Sequence, residues 1–193
     1  RVHTNAALFS RVGALFRQAD TLGLDPEQKR VLERYHTTFR RAGADLNAAG
    51  KGRLAEIVER LAQLGTTFSQ NVLADEQAFT LPLTDDSELA GLPGFTREAM
   101  RSDAEERGLD GQVVTLSRSS AEPFLQFAQR RDLREKVFRA FVSRGDNGGP
   151  TDNKAIIAEM VRLRAERAGL LGYTDFAHYR LDDSMAKTPA AVR

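Results

Sequence analysis

The length, composition and charge of the chain exclude several classes of protein. It has 193 residues, of which 41% are hydrophobic and 28% charged, as is typical of a globular protein and not of a disordered or fibrous one. The 28 Lys and Arg residues nearly balance 27 Asp and Glu residues and leave a net charge of +1, which argues against a polybasic nucleic-acid or membrane-surface protein. The absence of cysteine excludes disulfides, cysteine-ligated metals and thiol nucleophiles.

The sequence has no long apolar segment. No run approaches the roughly 18 to 20 apolar residues that cross a bilayer, and no signal-peptide pattern opens the chain. We therefore expect no membrane partner and a cytoplasmic location, which the lack of cysteine also fits. Because the chain begins at Arg1 without Met and stops just after a helix start at Thr188-Pro189, we also expect it to be part of a longer protein.

The first half of the chain is predicted to form three amphipathic helices. The first runs through Leu8 to Leu22 and ends before Gly23, and the second begins with Asp25 as N-cap and ends near Gly43. The third follows Gly50-Lys51-Gly52, and its spacing favours packing inside a helical domain over a short coiled coil. The residues of this third helix that we expect to face the interior are Leu54, Ile57, Leu61, Leu64, Phe68 and Val72.

The pattern changes between residues 77 and 117. Two short β-biased runs, 79–83 and 112–116, are expected to pair with each other. Between them we predict a turn at 91–94 and a polar helix from about Thr96, its N-cap, to Arg107.

Helical periodicity returns from Ala121 onward. Segments 121–127 and 133–141 precede a glycine-rich loop at 145–150, and Thr151 or Asp152 is expected to cap the next helix, which ends at Gly172. A short helix over 174–181 follows. The sequence thus predicts a mainly α, multi-helical domain with a small β element, and no repeat or linker divides residues 1–193.

The three histidines are the first candidates for chemistry. His3 lies at an end of the chain that we expect to be cut, and His36 lies beside the apolar stripe of α-helical residues around Tyr35, which favours a structural role. Asp175, His178 and Asp182 fall on one helical face, so they could build a metal or acid–base site. Ordinary local roles are the favoured interpretation, with Asp175 in the first turn of the helix and Asp182 solvated.

Other motifs carry weaker signals. The pair Asp85-Asp86 is typical of a turn. A basic stretch lies near Phe138 and Phe141, and it fits the charged face of an amphipathic helix better than a nucleic-acid surface; its members are Arg130, Arg131, Arg134, Arg139 and Arg144. There is no His-Glu-x-x-His pair, phosphate loop, dinucleotide fingerprint or nucleophile elbow. The residue patterns therefore assign no catalytic, cofactor-binding or metal-binding residue.

Several segments together do carry a family resemblance that extends over nearly the whole chain. They are Phe39-Arg40-Arg41-Ala42-Gly43-Ala44-Asp45-Leu46, Phe68-Ser69-Gln70-Asn71-Val72-Leu73, Glu88-Leu89-Ala90-Gly91-Leu92-Pro93, Arg131-Asp132-Leu133-Arg134-Glu135-Lys136-Val137-Phe138, Leu170-Leu171-Gly172-Tyr173 and Met185-Ala186-Lys187-Thr188-Pro189. In order and approximate spacing they resemble the amino-terminal half of the thimet-oligopeptidase family of zinc metallopeptidases. The last segment is most similar to the peptidyl-dipeptidase (dipeptidyl carboxypeptidase) branch, which lies close to oligopeptidase A.

The resemblance implies that the chain is an amino-terminal fragment of a larger, zincin-like hydrolase of the cytoplasm. In such a protease, amino-terminal helices wall a channel that admits short peptides, and the zinc ligands lie in a carboxy-terminal half that would follow Arg193. The fragment itself is then expected to bind no zinc and to be inactive, with short peptides and the missing half as its partners and no nucleic acid. A freestanding helical module that binds peptides or a partner is the alternative.

Overall fold

The computed structural model describes residues 2–193, and the mainly α prediction is confirmed. Nine α-helices and two short strands form in this part of the chain, after a 3-10 turn at Val2–Thr4. The elements in the first half are α1 (Ala6–Arg17), α2 (Pro26–Arg41), α3 (Ala48–Ala78), β1 (Leu81–Leu83) and α4 (Gly94–Glu106). Those in the second half are β2 (Gln112–Val114), α5 (Arg118–Phe127), α6 (Arg131–Val142), α7 (Lys154–Leu170), α8 (Phe176–Leu181) and α9 (Pro189–Val192).

The chain divides into two compact units, whose boundaries fall within α3 and within α7. The first unit comprises the residues up to Gln63 together with Glu159–Arg193, and the second comprises Leu64–Ala158. The core of the second unit includes Leu81, Leu83, Leu89, Leu92, Met100, Val114, Ala121, Phe124, Ala128 and Val137. A smaller cluster in the first unit contains Leu54, Ala168, Leu171 and Tyr179. That residues 1–193 are a single fragment of a larger peptidase stays a prediction.

Local signals place the first two helices, with one correction. Asp25 caps α2 in a reciprocal capping box with Gln28, and Gly43, at a φ of +82°, ends the helix as predicted. Helix α1 stops at Arg17, five residues before Leu22. The hydroxyl of Thr21 donates to the carbonyl of Gln18 at 2.9 Å, and this bond favours turns over continued helix.

Helix α3 is longer than predicted and buries less of its stripe. It starts before Gly50 because the side-chain oxygen of Asn47 accepts the N–H of that glycine at 2.8 Å. Leu54, Ile57 and Leu64 are buried, as predicted. The remaining stripe residues, Leu61, Phe68 and Val72, are only half-buried.

The small β element confirms the expected pairing. Strands β1 and β2 are antiparallel, with Leu81 opposite Val114. The prediction that Thr96 caps the next helix is wrong, because α4 begins at Gly94 and Pro93 occupies the N-cap with φ −61° and ψ 156°. The fixed ring of Pro93 already holds the extended conformation that an N-cap requires, so Thr96 is carried into the helix and buried.

Side chains from α3 hold the loop between α6 and α7. The carboxylate of Asp75 accepts hydrogen bonds from the N–H of Gly145 at 2.7 Å and from the amide of Asn147 at 2.9 Å. Asp152, one of the two predicted caps of the next helix, accepts the N–H of Lys154, the first residue of α7. The bonds from Lys154 and from the N–H of Gly148 lower the pKa of Asp152 to about 2.

Candidate functional site

The candidate site at α8 brings Asp175 and His178 together. Asp175 is the N-cap of α8 and accepts the backbone N–H of His178 at 2.8 Å. The Nδ1 atom of the same histidine lies 2.9 Å from Oδ1 of Asp175. These backbone and side-chain hydrogen bonds lower the pKa of Asp175. The carboxylate therefore already has a structural role at the start of the helix.

Asp182 is engaged with a different set of side chains. The hydroxyl of Tyr173 donates to its Oδ2 atom at 2.7 Å, and burial together with this bond raises the pKa of Tyr173 to about 12. The guanidinium of Arg41 lies 4.0 Å from Asp182 and 3.4 Å from Asp183. Asp182 thus contributes to a contact between α2 and the segment after α8.

Arg41 makes most of this contact, and the sequence analysis did not predict its role. Its Nη1 atom donates to the carbonyl of Tyr179 at 2.8 Å, and its guanidinium carbon lies 4.2 Å from the centroid of the Tyr179 ring. Such cation–π stacking is stabilising where the groups are shielded from water. No local pattern signals it, because the two residues are 138 positions apart.

The donor set at α8 does not fit a zinc site. Zinc sites in proteins use three or four ligands converging on one point. Here His178 is directed to the capping carboxylate and Asp182 to Tyr173. Across residues 2–193, no group of three or more His, Asp or Glu side chains is arranged to hold a metal ion. We accordingly derive no chemical step from zinc at these residues.

His36, on α2, lies against aromatic rings of α1, and His3, in the turn before α1, lies against an aromatic ring of α2. The His36 ring stacks on Phe16 with a centroid distance of 4.0 Å and an interplanar angle of 1°, and His3 meets Phe39 edge-on at 5.3 Å. Burial and the neighbouring Arg40 lower the pKa of His36 below its ordinary value of 6.5, Arg17 contributes in the same direction, and Asp45 opposes them.

We expect the stability of the α1–α2 pair to fall as the pH drops through 6.5. The lowered pKa means that the unfolded chain binds a proton at His36 more readily than the folded chain. The contribution of neutral His36 to the free energy of unfolding is therefore complete above pH 6.5. It is lost progressively as the pH falls toward the lower pKa of His36 in the folded chain. Thermal unfolding between pH 5 and 8 should show a steeper loss for the parent sequence than for His36→Phe. Parallel profiles for the two would contradict this assignment.

The basic stretch is largely paired. Arg130 binds Asp132, Arg139 binds Glu135, and Arg144 binds Glu76 and stacks on Phe141. The pair Asp85-Asp86 lies in a turn as predicted, with Asp85 accepting the N–H of Ser87 at 2.8 Å. No helix among residues 2–193 has both the length and the apolar character needed to cross a membrane.

Comparison with known proteins supports the family resemblance. Residues 124–193 match the model of Peptidase family M3. Over 192 residues, 99% of the chain, it is 35% identical to dipeptidyl carboxypeptidase from Escherichia coli (strain K12). It is 33% identical to oligopeptidase A from Haemophilus influenzae over 195 residues, again 99% of the chain. Organellar oligopeptidase A from Arabidopsis thaliana is 30% identical over the full chain.

The chain spans only part of each of these relatives. It covers 28% of the E. coli enzyme, 29% of the H. influenzae enzyme and 25% of the Arabidopsis enzyme. The similarity nevertheless extends over 99% of the chain. The resemblance stated from the sequence motifs is therefore confirmed: residues 124–193 match Peptidase family M3, and nearly the whole chain is similar to a dipeptidyl carboxypeptidase and to oligopeptidase A.

Proposed function

We propose that this chain is the amino-terminal part of a zinc-dependent oligopeptidase or peptidyl-dipeptidase that hydrolyses short peptides in the cytoplasm. The observation that carries the proposal is the similarity, over 99% of the chain, to a dipeptidyl carboxypeptidase of which the chain covers 28%. The zinc ligands are then supplied by the remaining part of the protein.

In this proposal the helices of the chain form one wall of the substrate channel. A channel bounded by rigid helices admits an extended peptide and excludes a folded protein. The long α3 helix suits a wall because arginines on its surface are anchored to α7. Arg53 binds Glu166 at 2.6 Å, and Arg60 binds Glu159 at 2.7 Å with both carboxylate oxygens engaged.

Peptide cleavage with and without a chelator tests the catalytic part of the proposal. The gene should continue past Arg193 into a His-Glu-x-x-His sequence, and the protein it encodes should cleave a quenched-fluorescent oligopeptide. Chelation should abolish this activity, and added zinc should restore it. The chain of 193 residues alone should give the rate of a buffer blank, because a catalytic zinc site needs three protein ligands and an open position for water.

His178→Ala provides the matched control in the full-length protein. If the metal ligands lie outside residues 1–193, this variant should retain the parent zinc stoichiometry and activity. Loss of zinc with His178→Ala, or zinc-dependent cleavage by the chain alone, would place the site at α8 and contradict the proposal. A stop codon directly after Arg193 would instead favour a freestanding peptide-binding module.

A further inference from the structure

The helix pair α5–α6 carries an excess of positive charge. Segment 118–142 contains six cationic and three anionic side chains, whereas the whole chain has a net charge of +1. Each anionic side chain of the segment is already paired within it. Glu122 binds Arg118, Asp132 binds Arg130, and Glu135 binds Arg139, all at 2.9 Å or less.

Three of the six cations are in none of these pairs, and two of the three, Arg131 and Arg134, line a groove. Arg131 and Arg134 make no side-chain ion pair or hydrogen bond within the described part of the chain. They are three positions apart on α6, so their side chains lie on the same face of the helix. Both line an open groove of about 460 Å³, together with Leu125, Glu135 and Phe138.

The groove combines this positive rim with apolar surface. Phe138 is 54% exposed, and Leu125 is half-buried against the core of the second unit. The one acidic side chain at the groove, Glu135, is neutralised because both Nε and Nη2 of Arg139 donate to its Oε1 atom. An occupant that complements the groove therefore has an apolar side chain next to carboxylates.

We infer that the α5–α6 groove binds acidic peptide segments in which an apolar residue is flanked by carboxylates. The structure favours a peptide over a nucleic acid. A surface that binds the phosphate backbone of a nucleic acid needs a series of unpaired cations. Here the guanidiniums of Arg130, Arg139 and Arg144 are paired with carboxylates. This inference goes beyond the proposed function, since the proposed channel wall assigns no ligand to the α5–α6 groove.

Binding of labelled peptides to the chain tests the inference. The probe is a fluorescein-labelled hexapeptide, Glu-Glu-Leu-Phe-Glu-Glu, and the comparison peptide replaces its four glutamates with lysines. Fluorescence anisotropy in low salt should show binding of the acidic peptide only, and added salt should weaken it. Equal binding of the two peptides, or tighter binding of a 12-nucleotide oligothymidylate, would overturn the inference.

Matched variants locate the binding surface. Arg131→Gln with Arg134→Gln should weaken acidic-peptide binding by about fivefold or more. Arg101→Gln with Arg180→Gln removes the same two charges elsewhere and should change binding little. An equal loss in both double variants would show a nonspecific charge effect and overturn the proposal.

The apolar contact has its own control within α6. Phe138→Ser should weaken binding, whereas Val142→Ser, at a position that is 55% exposed and not part of the groove lining, should leave it unchanged. Circular dichroism on all variants checks that they are folded. Concentration-dependent self-association that disappears in the Arg131/Arg134 double variant would identify the surface as a contact between copies of the chain, and would overturn the peptide assignment.

Discussion

Gly91→Ala is expected to destabilise the second unit by about 3 kcal/mol or more. Gly91 has a φ of +84°, and a Cβ atom there would lie 2.4 Å from the carbonyl oxygen of Phe127 and 2.9 Å from Cγ of Gln129. The nearest atom belongs to the backbone, and the N–H of Gln129 donates to the carbonyl of Ala90 at 3.0 Å. The two segments therefore separate only by breaking a hydrogen bond between them.

Gly108→Ala is the matched control for this prediction. Gly108 also has a positive φ, of +68°, but a Cβ atom there would meet nothing within 4 Å. It should cost only the unfavourable left-handed conformation, about 1 kcal/mol. Urea unfolding monitored by circular dichroism measures both variants. Equal losses would show that the close approach to Phe127 contributes nothing.

Phe124→Ala is expected to cost about 3 to 5 kcal/mol of unfolding free energy. Phe124 is 0% exposed, and it lies in the core of the second unit with Met100, Val114 and Val137. Its removal loses the free energy of burying a large aromatic surface. It also leaves a cavity that the surrounding side chains fill only in part.

Phe95→Ala tests whether this loss arises from burial. Phe95 is 67% exposed, although it meets Phe127 edge-on at 6.4 Å, so we expect a change below about 1 kcal/mol. Denaturant unfolding followed by circular dichroism gives both values. A loss under 1 kcal/mol for Phe124→Ala would show that this core repacks without a cavity.

Elements with local signals were predictable from the sequence. Helix α2 begins after Asp25 and ends before Gly43. Both ends were predictable because a capping carboxylate and a glycine at positive φ act on the backbone within a few residues. The two β-biased runs paired as expected. The start of α4 was misplaced because Pro93 occupies the N-cap through its backbone conformation, whereas the prediction of Thr96 rested on a side-chain acceptor.

The candidate site required knowledge of long-range contacts. The spacing of Asp175, His178 and Asp182 on a helix predicts a shared face, and it left open what each side chain would bind. The structure directs Asp182 to Tyr173 and places Arg41, from a distant helix, beside it. Ion pairs and stacking depend on where separate helices meet, and helical periodicity carries no information about that.

The sequence by itself determined the mainly α class, the small β element and the family resemblance, because periodicity, capping residues and the similar segments can all be recognised from the order of residues along the chain. Tertiary structure decided which residues of the α3 stripe are buried, since Ile57 is 0% exposed while Leu61 on the same face is half-buried. It also placed Arg41 of α2 beside Asp182 and Asp183. Burial and ion pairing are set by the packing of neighbouring elements, and residues far apart in sequence supply those neighbours.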